Sequence, residues 1–319
     1  MPAFNNIIKS TAVILFALLS GYLHAQRCDW LETGGGFGMD RAHSMATDPN
    51  NNILVTGSYG NGFSIGPFVF SQFATVESGF IIKYDEYGQV KWTKSFGGTS
   101  FGLCYPTVVQ TDANSNVYIA GHVSMASGSV DFGNGVVMSW SSQQPIAKSF
   151  LVKFDSLGTA QWVVEYGGGA QTIGRLHEIS VDNAGNIYHA LTFSHSLHFP
   201  GIFKTIVASK LDIGIIKITP GGTVINAVNF GSAGYNYILQ GMGIDERNNP
   251  YIIGYAGGGS LTVGGLALNG PGVLVLKLDS ALTALNGLKT NINSTTPHTV
   301  IEGQPFFDIA VCSNGRFVV

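Results

Sequence analysis

Apolar and polar positions alternate with period two in short runs along this chain, and each run closes on a cluster of Asp, Asn, Ser or Gly. The same succession of runs returns at a pitch of about 65 residues. One run ends in Asp; three turn residues and an Asn follow, and a second run then ends in Gly. It reads Met45-Ala46-Thr47-Asp48 to Asn52-Ile53-Leu54-Val55-Thr56-Gly57, then Val109-Gln110-Thr111-Asp112 to Asn116-Val117-Tyr118-Ile119-Ala120-Gly121. It recurs from Asp182 to Asn186-Ile187-Tyr188 and from Asp245 to Asn249-Pro250-Tyr251-Ile252-Ile253-Gly254, with a worn copy at Cys312 and Arg316-Phe317-Val318-Val319. Before the Asp, the third residue back is Met45, Val109, Ile179, Met242 or Ile309, and the sixth is Ala42, Pro106, Leu176, Leu239 or Phe306. This pattern predicts a short strand buried mainly on one side. The step from Asp to Asn predicts a hairpin capped by its own Asx side chains.

A third run carries a lysine: Phe80-Ile81-Ile82-Lys83-Tyr84-Asp85, Phe150-Leu151-Val152-Lys153-Phe154-Asp155, Ile215-Ile216-Lys217-Ile218-Thr219 and Leu274-Val275-Leu276-Lys277-Leu278-Asp279. Gly88, Gly158 and Gly222 stand five residues after it. A fourth run, with Trp92 or Trp162, closes on Phe96-Gly97-Gly98, Tyr166-Gly167-Gly168 or Phe230-Gly231. Between the second and third runs lies an extra apolar-Gly arch: Phe63-Ser64-Ile65-Gly66, Val130-Asp131-Phe132-Gly133, Leu197-His198-Phe199-Pro200 and Leu261-Thr262-Val263-Gly264. Four strands per unit and no helical period predict an all-β chain, a β-propeller of four-stranded antiparallel blades with an arch inserted in each. The combination of Lys-aromatic-Asp, Gly, Trp, Phe-Gly-Gly, Asp and Asn-Val-Tyr-Ile-Ala-Gly resembles the bacterial β-propeller repeat family called SBBP, over essentially all of residues 26–319. Copies three and four depart from it, with Thr219 for Asp and Asn226 for Trp. The resemblance implies an exported propeller, in some members delivered to the cell surface by a C-terminal sorting domain, and it supplies no catalytic residues.

The units are expected at about 30–91, 92–161, 162–226 and 227–286, with a partial one at 287–319. Trp30 to Gly35-Gly36 matches the fourth run of a unit that has no earlier runs before it, and Val319 falls inside a second run. The expectation is a ring whose last blade is completed from the N-terminus, or a piece of a longer chain with the C-terminal unit incomplete. Residues 1–25 read as a secretory signal: Lys9, an apolar run from Thr11 to Leu19, then Leu23-His24-Ala25. That run is too short for a membrane span. The expected address is secreted or outer cell surface.

Charged residues make up 11% of the chain and the net charge is −3, so the sequence offers neither a basic field for nucleic acid nor a charged block for lipid headgroups. Cys28, Cys104 and Cys312 are too few for a disulfide framework, although one pair could oxidise. Gly98-Thr99-Ser100-Phe101-Gly102 satisfies the G-x-S-x-G pattern, but it falls between two strands, where no strand-to-helix turn lifts the serine. His177, His189, His195 and His198 gather in the third unit without the spacing of a zinc motif. His189 takes a slot held by Val55, Ile119 and Ile252, which places it in or beside a core strand; His195 and His198 flank the arch, where they could meet a metal across a loop, although a structural role is the expectation. Asp48 to Asn52 and Asp112 to Asn116 imitate the opening of a calcium loop but lack its closing Gly and Glu. The repeating lysines are expected on solvated strands, or in ion pairs with the Asp of a neighbouring unit.

No catalytic, cofactor-binding or metal-ligating residue is assigned from the sequence. The expected function is a non-enzymatic scaffold that binds a protein or glycan ligand, or other surface components, through variable loops, with Tyr235, Tyr237 and the histidines as the first surface to consider. The alternative is an extracellular carbohydrate-active enzyme, a lyase or hydrolase using the propeller funnel. That would require converging carboxylates or imidazoles beside a basic or aromatic subsite.

Overall fold

The structure is a computed structural model; it describes residues 30–319 apart from 72, 74, 126, 142–145, 168–172, 200–204, 208–209, 264, 292–309, 312–316 and 319. Two compact units divide after Glu32, and of the first only 30–32 are described, without regular secondary structure. The signal-like segment, Cys28 and Cys312 lie outside the described residues.

From Thr33 onward the described chain is all-β. Strand β1 (Gly34–Gly35) precedes β2 (Arg41–Thr47), β3 (Ile53–Tyr59), the small hairpin β4 (Phe63–Ile65) and β5 (Phe68–Phe70), then β6 (Ser78–Tyr84) and β7 (Val90–Phe96). The second unit repeats this order as β8 (Gly102–Thr111), β9 (Val117–Met125), hairpin β10 (Gly128–Asp131) and β11 (Val137–Trp140), β12 (Ile146–Phe154) and β13 (Ala160–Gly167). The third is β14 (Ile173–Val181), β15 (Ile187–Phe193), β16 (Ser196–His198) with β17 (Thr205–Val207), β18 (Asp212–Ile218) and β19 (Val224–Phe230). The fourth is β20 (Tyr237–Ile244), β21 (Pro250–Ala256), β22 (Ser260–Val263) with β23 (Leu266–Asn269), β24 (Gly272–Leu278) and β25 (Ala284–Asn291). A last pair, β26 (Ala310–Val311) and β27 (Phe317–Val318), follows.

Each unit forms one four-stranded antiparallel sheet in chain order, with its hairpin set apart between the second and third strands. The first strands of successive sheets neighbour one another: β2 lies beside β8, β8 beside β14, and β14 beside β20. Cross-sheet bonds tie them, from Val109 N to Ser44 Oγ (3.2 Å), Thr111 Oγ1 to Thr47 O (2.8 Å) and Leu239 N to Thr192 Oγ1 (2.9 Å). The alternate faces meet as apolar clusters between neighbouring sheets, such as Leu54 and Ile81 with Val109, Val117 and Ile119.

The Asp motif folds as its chemistry requires. Asp48, Asp112, Asp182 and Asp245 each accept bonds from the backbone N–H groups two and four residues on, and from the Asn that ends the turn. The turns between third and fourth strands repeat the device with Asp85, Asp155 and Asp279. Thr219 does the same through its hydroxyl, which accepts from Thr223 N.

The Gly that closes the second strand answers a bulge in the first. In sheets one, two and four a register shift skips one residue, at His43, Thr107 and Gln240. There a Cβ on Gly57 would lie 1.9 Å from Arg41 O, one on Gly121 2.3 Å from Tyr105 O, and one on Gly254 2.7 Å from Ile238 O. Sheet three has Leu191 in this place, and its first strand shifts by more, from Ile173 opposite Phe193 to His177 opposite Leu191. The larger side chain excludes the close approach, so the bulge widens.

The N-terminal glycines keep the repeat alignment. Gly34 and Gly35 pair with Ile65 and Ser64 of the first hairpin, and one unit later Gly98 bridges Val130 of the second. Gly-Gly after a fourth strand therefore rests against the hairpin of the next sheet.

Candidate functional site

One end of each sheet carries the Asx turns, and there successive sheets are joined by a repeated contact. Lys83 Nζ and Trp92 Nε1 of sheet one both donate to Ser156 O in the β12–β13 turn, at 3.3 and 3.1 Å. Lys153 and Trp162 of sheet two donate to Pro220 O at 3.3 and 3.1 Å, and Lys217 of sheet three donates to Ser280 O at 2.6 Å. Lys83, Lys153 and Lys217 therefore cross the seam to a backbone carbonyl, and among the described residues none of the four lysines meets a neighbouring unit's Asp, the ion-pair alternative to a solvated strand. Their carboxylate partners belong to the same sheet: Lys83 to Asp48 at 2.7 Å and Lys277 to Asp245 at 3.2 Å. In sheets two to four a tyrosine stands beside the lysine, with Tyr118, Tyr188 and Tyr251 donating to Asp112, Asp182 and Asp245 while the lysine lies 4.8 to 5.4 Å above the ring. Sheet one has Leu54 in that place, and there Lys83 pairs with the carboxylate and is almost completely buried. Burial alone would raise the Asp48 pKa, but the Lys83 contact and bonds from Asn52 and Asn50 bring it down to about 2.

The opposite end holds the hairpins and the loops that enter each first strand, and here the chain departs from its own repeat. A pocket of about 460 Å³ is lined by Gly38, Met39, Gly60, Asn61, Thr75, Val76, Glu77 and Phe101. Its wall is fixed by a parallel bridge between Glu77 and Leu103, with Val76 N donating to Gly102 O (2.8 Å) and Cys104 N to Glu77 O (2.9 Å). The same joint recurs between Leu211 and Asn236, with Tyr237 N on Leu211 O at 2.7 Å. Glu77 thus occupies a framework position, six residues before the lysine, that holds Ala147, Leu211 and Pro271 in the other units.

Glu77 leads into a row of titratable rings. Ser58 Oγ donates to Glu77 Oε2 (3.2 Å) and lies 3.4 Å from His43 Nε2, whose Nδ1 is 2.6 Å from Pro106 O. His43 stacks on Tyr105 (centroids 4.3 Å apart), Tyr105 on His122 (5.4 Å) and His122 on His177 (5.9 Å). His177 Nδ1 then meets His189 Nε2 at 3.0 Å, and His189 Nδ1 meets the Tyr166 hydroxyl. The row runs from the first strand of sheet one through the first and second strands of sheets two and three, and ends on Tyr166 in the fourth strand of sheet two. Burial lowers the pKa of His177 far below the imidazole range and that of His189 to about 3, so both are neutral. Neither forms an ion pair among the described residues.

His189 lies in a core strand, fully buried, as its slot predicts. His177 joins it; His195 and His198 do not, since they bond locally to Ser194 (3.0 Å) and Ser196 (3.3 Å). No three His, Cys, Asp or Glu side chains among the described residues come together as a metal cage. Ser100 sits in the β7–β8 turn, where its hydroxyl donates to Ser127 O and meets no imidazole among the described residues. Cys104 is a buried thiol whose pKa burial pushes up to about 12. Tyr237, expected on a variable surface, is fully buried in β20 with its hydroxyl on Gly258 O (2.9 Å), whereas Tyr235 is exposed at the turn before it. The Glu77 pocket escaped sequence reading because hydrophobic period alone does not flag one carboxylate. Aligning the copies on Lys83, Lys153, Lys217 and Lys277 would have exposed it.

No protein-family model matches the chain. An uncharacterised WD repeat-containing protein of Acanthamoeba polyphaga mimivirus is 25% identical over 287 residues, covering 78% of this chain and 20% of that protein. The chain thus spans about a fifth of this relative's length. A crystal structure of a protein of unknown function from Bacteroides caccae covers 79% of this chain at 10% identity, with a TM-score of 0.34. The chain is a repeat protein of four-stranded antiparallel sheets, consistent with propeller-like blades and with a distant WD-repeat relative.

Proposed function

We propose that this chain is a propeller-type scaffold without catalytic activity of its own, exported to the cell surface or medium, that binds a protein or glycan ligand at its hairpin end. The observation that carries the reading is the division of labour between the two ends of the sheets. Lysine and tryptophan contacts to the next turn's backbone carbonyl repeat at the Asx end and hold the sheets in series. The hairpin end is joined instead by short backbone bridges, at Glu77 with Leu103 and at Leu211 with Asn236, and its loops differ from unit to unit. Repeat arrays commonly separate a uniform supporting surface from a variable one in this way. Closure of the sheets into a ring, and membership of the exported SBBP-type family, belong to the same proposal; the WD-repeat relative supports the repeat character alone.

The test is a binding screen of the secreted protein on a glycan array and against cell-surface extracts, run beside a turnover assay on the same polysaccharides. Saturable binding without product formation is expected, weakened by substitutions in the hairpin-end loops. Release of oligosaccharide products would replace the scaffold reading with the enzyme one. Class averages in electron microscopy should show a ring with a central opening, and an open rod would remove the propeller.

A further inference from the structure

The pocket between the first two sheets has three features that together define a ligand chemistry. Its floor is bare backbone: Gly38 and Gly60 approach so closely that a Cβ on Gly38 would stand 2.2 Å from Gly60 O. Its rim is apolar and open to solvent, with Phe101 82% exposed and Met39 and Val76 about half exposed. Phe37, at the same station one unit earlier and next to Gly38 in sequence, is 93% exposed. Its one ionisable liner is Glu77, half-buried, whose only partner among the described residues is the Ser58 hydroxyl.

Each feature alone is commonplace. Their coincidence is not required by the fold, because the same joint is built with Leu211 in the third unit. A half-buried carboxylate with a single hydroxyl donor is incompletely compensated, and it gains most from an incoming cation. An exposed phenyl ring beside it offers its negative face to the same cation. Methionine and valine suit an apolar stem.

We infer that this pocket binds a cationic side chain on an aliphatic stem, a lysine or arginine presented by an extended peptide of a partner protein. The inference rests on the binding-scaffold reading and adds the chemistry of one subsite. Glu77 takes the charge, Phe101 covers it, and Met39 and Val76 hold the methylene stem. The glycine floor lets the peptide backbone approach without meeting a side chain.

The experiment is fluorescence anisotropy with labelled peptides acetyl-Ser-Ala-Xaa-Ala-Ser, where Xaa is lysine, arginine, norleucine or glutamine, together with free pentylamine as competitor. Lysine and arginine peptides are expected to bind at least tenfold tighter than norleucine or glutamine ones, with affinity falling as salt rises. Glu77→Gln keeps the shape, and Glu77→Leu installs the residue of the third unit. Both are expected to retain the melting temperature and lose tenfold or more in lysine-peptide affinity. Phe101→Ala is expected to lose about threefold to tenfold. Competition by pentylamine at concentrations close to those of the lysine peptide would assign the site to free amines and overturn the peptide. Equal binding of lysine and norleucine peptides, unchanged affinity in Glu77→Gln, or no binding at millimolar peptide would each overturn the inference. A glycan or protein ligand that still binds Glu77→Gln would leave the scaffold standing without this subsite, whereas polysaccharide turnover would remove the scaffold itself.

Discussion

The seam between sheets two and three and the seam between sheets three and four are built to one plan and filled in two ways. At the former, the Trp162 ring lies over Gly222, where a Cβ would stand 2.8 Å from the indole; Gly158 meets Trp92 identically one seam earlier. At the latter, Asn226 replaces the tryptophan, still donating to the turn at Ala281 O (2.7 Å), and Leu282 replaces the glycine. Leu282 keeps the glycine's backbone, with φ of 68° against 85° at Gly222. Its side chain is 3% exposed within the apolar cluster between the two sheets. A leucine held in the left-handed region costs about 1–2 kcal/mol, while burying its side chain contributes about 1.5–3 kcal/mol. The exchange is therefore close to neutral, provided that both residues change together. The lesson is that the turn conformation and a side-chain donor to one of its carbonyls are the invariant parts of the joint. The apolar volume can come from either side.

The harshest way to break this comparison is to give one seam both fillings. Gly222→Leu, with Trp162 in place, adds overpacking to backbone strain and should cost about 3–5 kcal/mol in urea unfolding. Nearly as large is Lys83→Met, which leaves Asp48 buried without its cation. It is expected to cost about 3 kcal/mol or more, against under about 1 kcal/mol for Lys153→Met, whose lysine rests on a tyrosine ring and pairs with no carboxylate among the described residues. Asn226→Trp alone should cost about 2 kcal/mol by crowding Leu282, and most of that should return in the double variant Asn226→Trp/Leu282→Gly, read as a double-mutant cycle.

A gentler probe separates the same two seams by pH. The imidazoles of His177 and His189 titrate near 6.5 when unfolded and well below that when folded, His189 at about 3. The unfolded chain therefore takes up protons first. Stability is complete above about pH 6.5 and declines as pH falls toward the folded values, by about 1.4 kcal/mol per pH unit for each histidine. Hydrogen exchange at pH 5 should show β14 and β15 losing protection before β20 and β21, which carry no buried imidazole among the described residues. The double variant His177→Leu/His189→Ile should remove that order, and a persistent difference would show that the histidine row is not its cause.

Much of this architecture was legible in the residues. Alternation gave four strands per unit, and the Asp-to-Asn step gave a hairpin capped by Asp48, Asp112, Asp182 and Asp245, because both depend on contacts within a few positions of the chain. The slot of His189 was legible for the same reason: Val55, Ile119 and Ile252 hold it in the other units. The lysines were harder. Their position on the third strand followed from the pattern, but whether each met Asp48, a tyrosine ring or the carbonyl of Ser156 depended on what the neighbouring strand and the next sheet brought near.

The sequence by itself determined the strands, their turns and the pitch of the repeat, since period-two burial and Asx capping act over short chain separations. Only the tertiary structure decided that Trp162 would sit on Gly222, that Leu282 would answer Asn226, and that Glu77 would line a pocket with Phe101. Those pairs lie in different sheets or in loops entering different sheets, where contact is set by how one sheet's side chains fill the surface of the next. Periodicity within one strand carries no record of that packing.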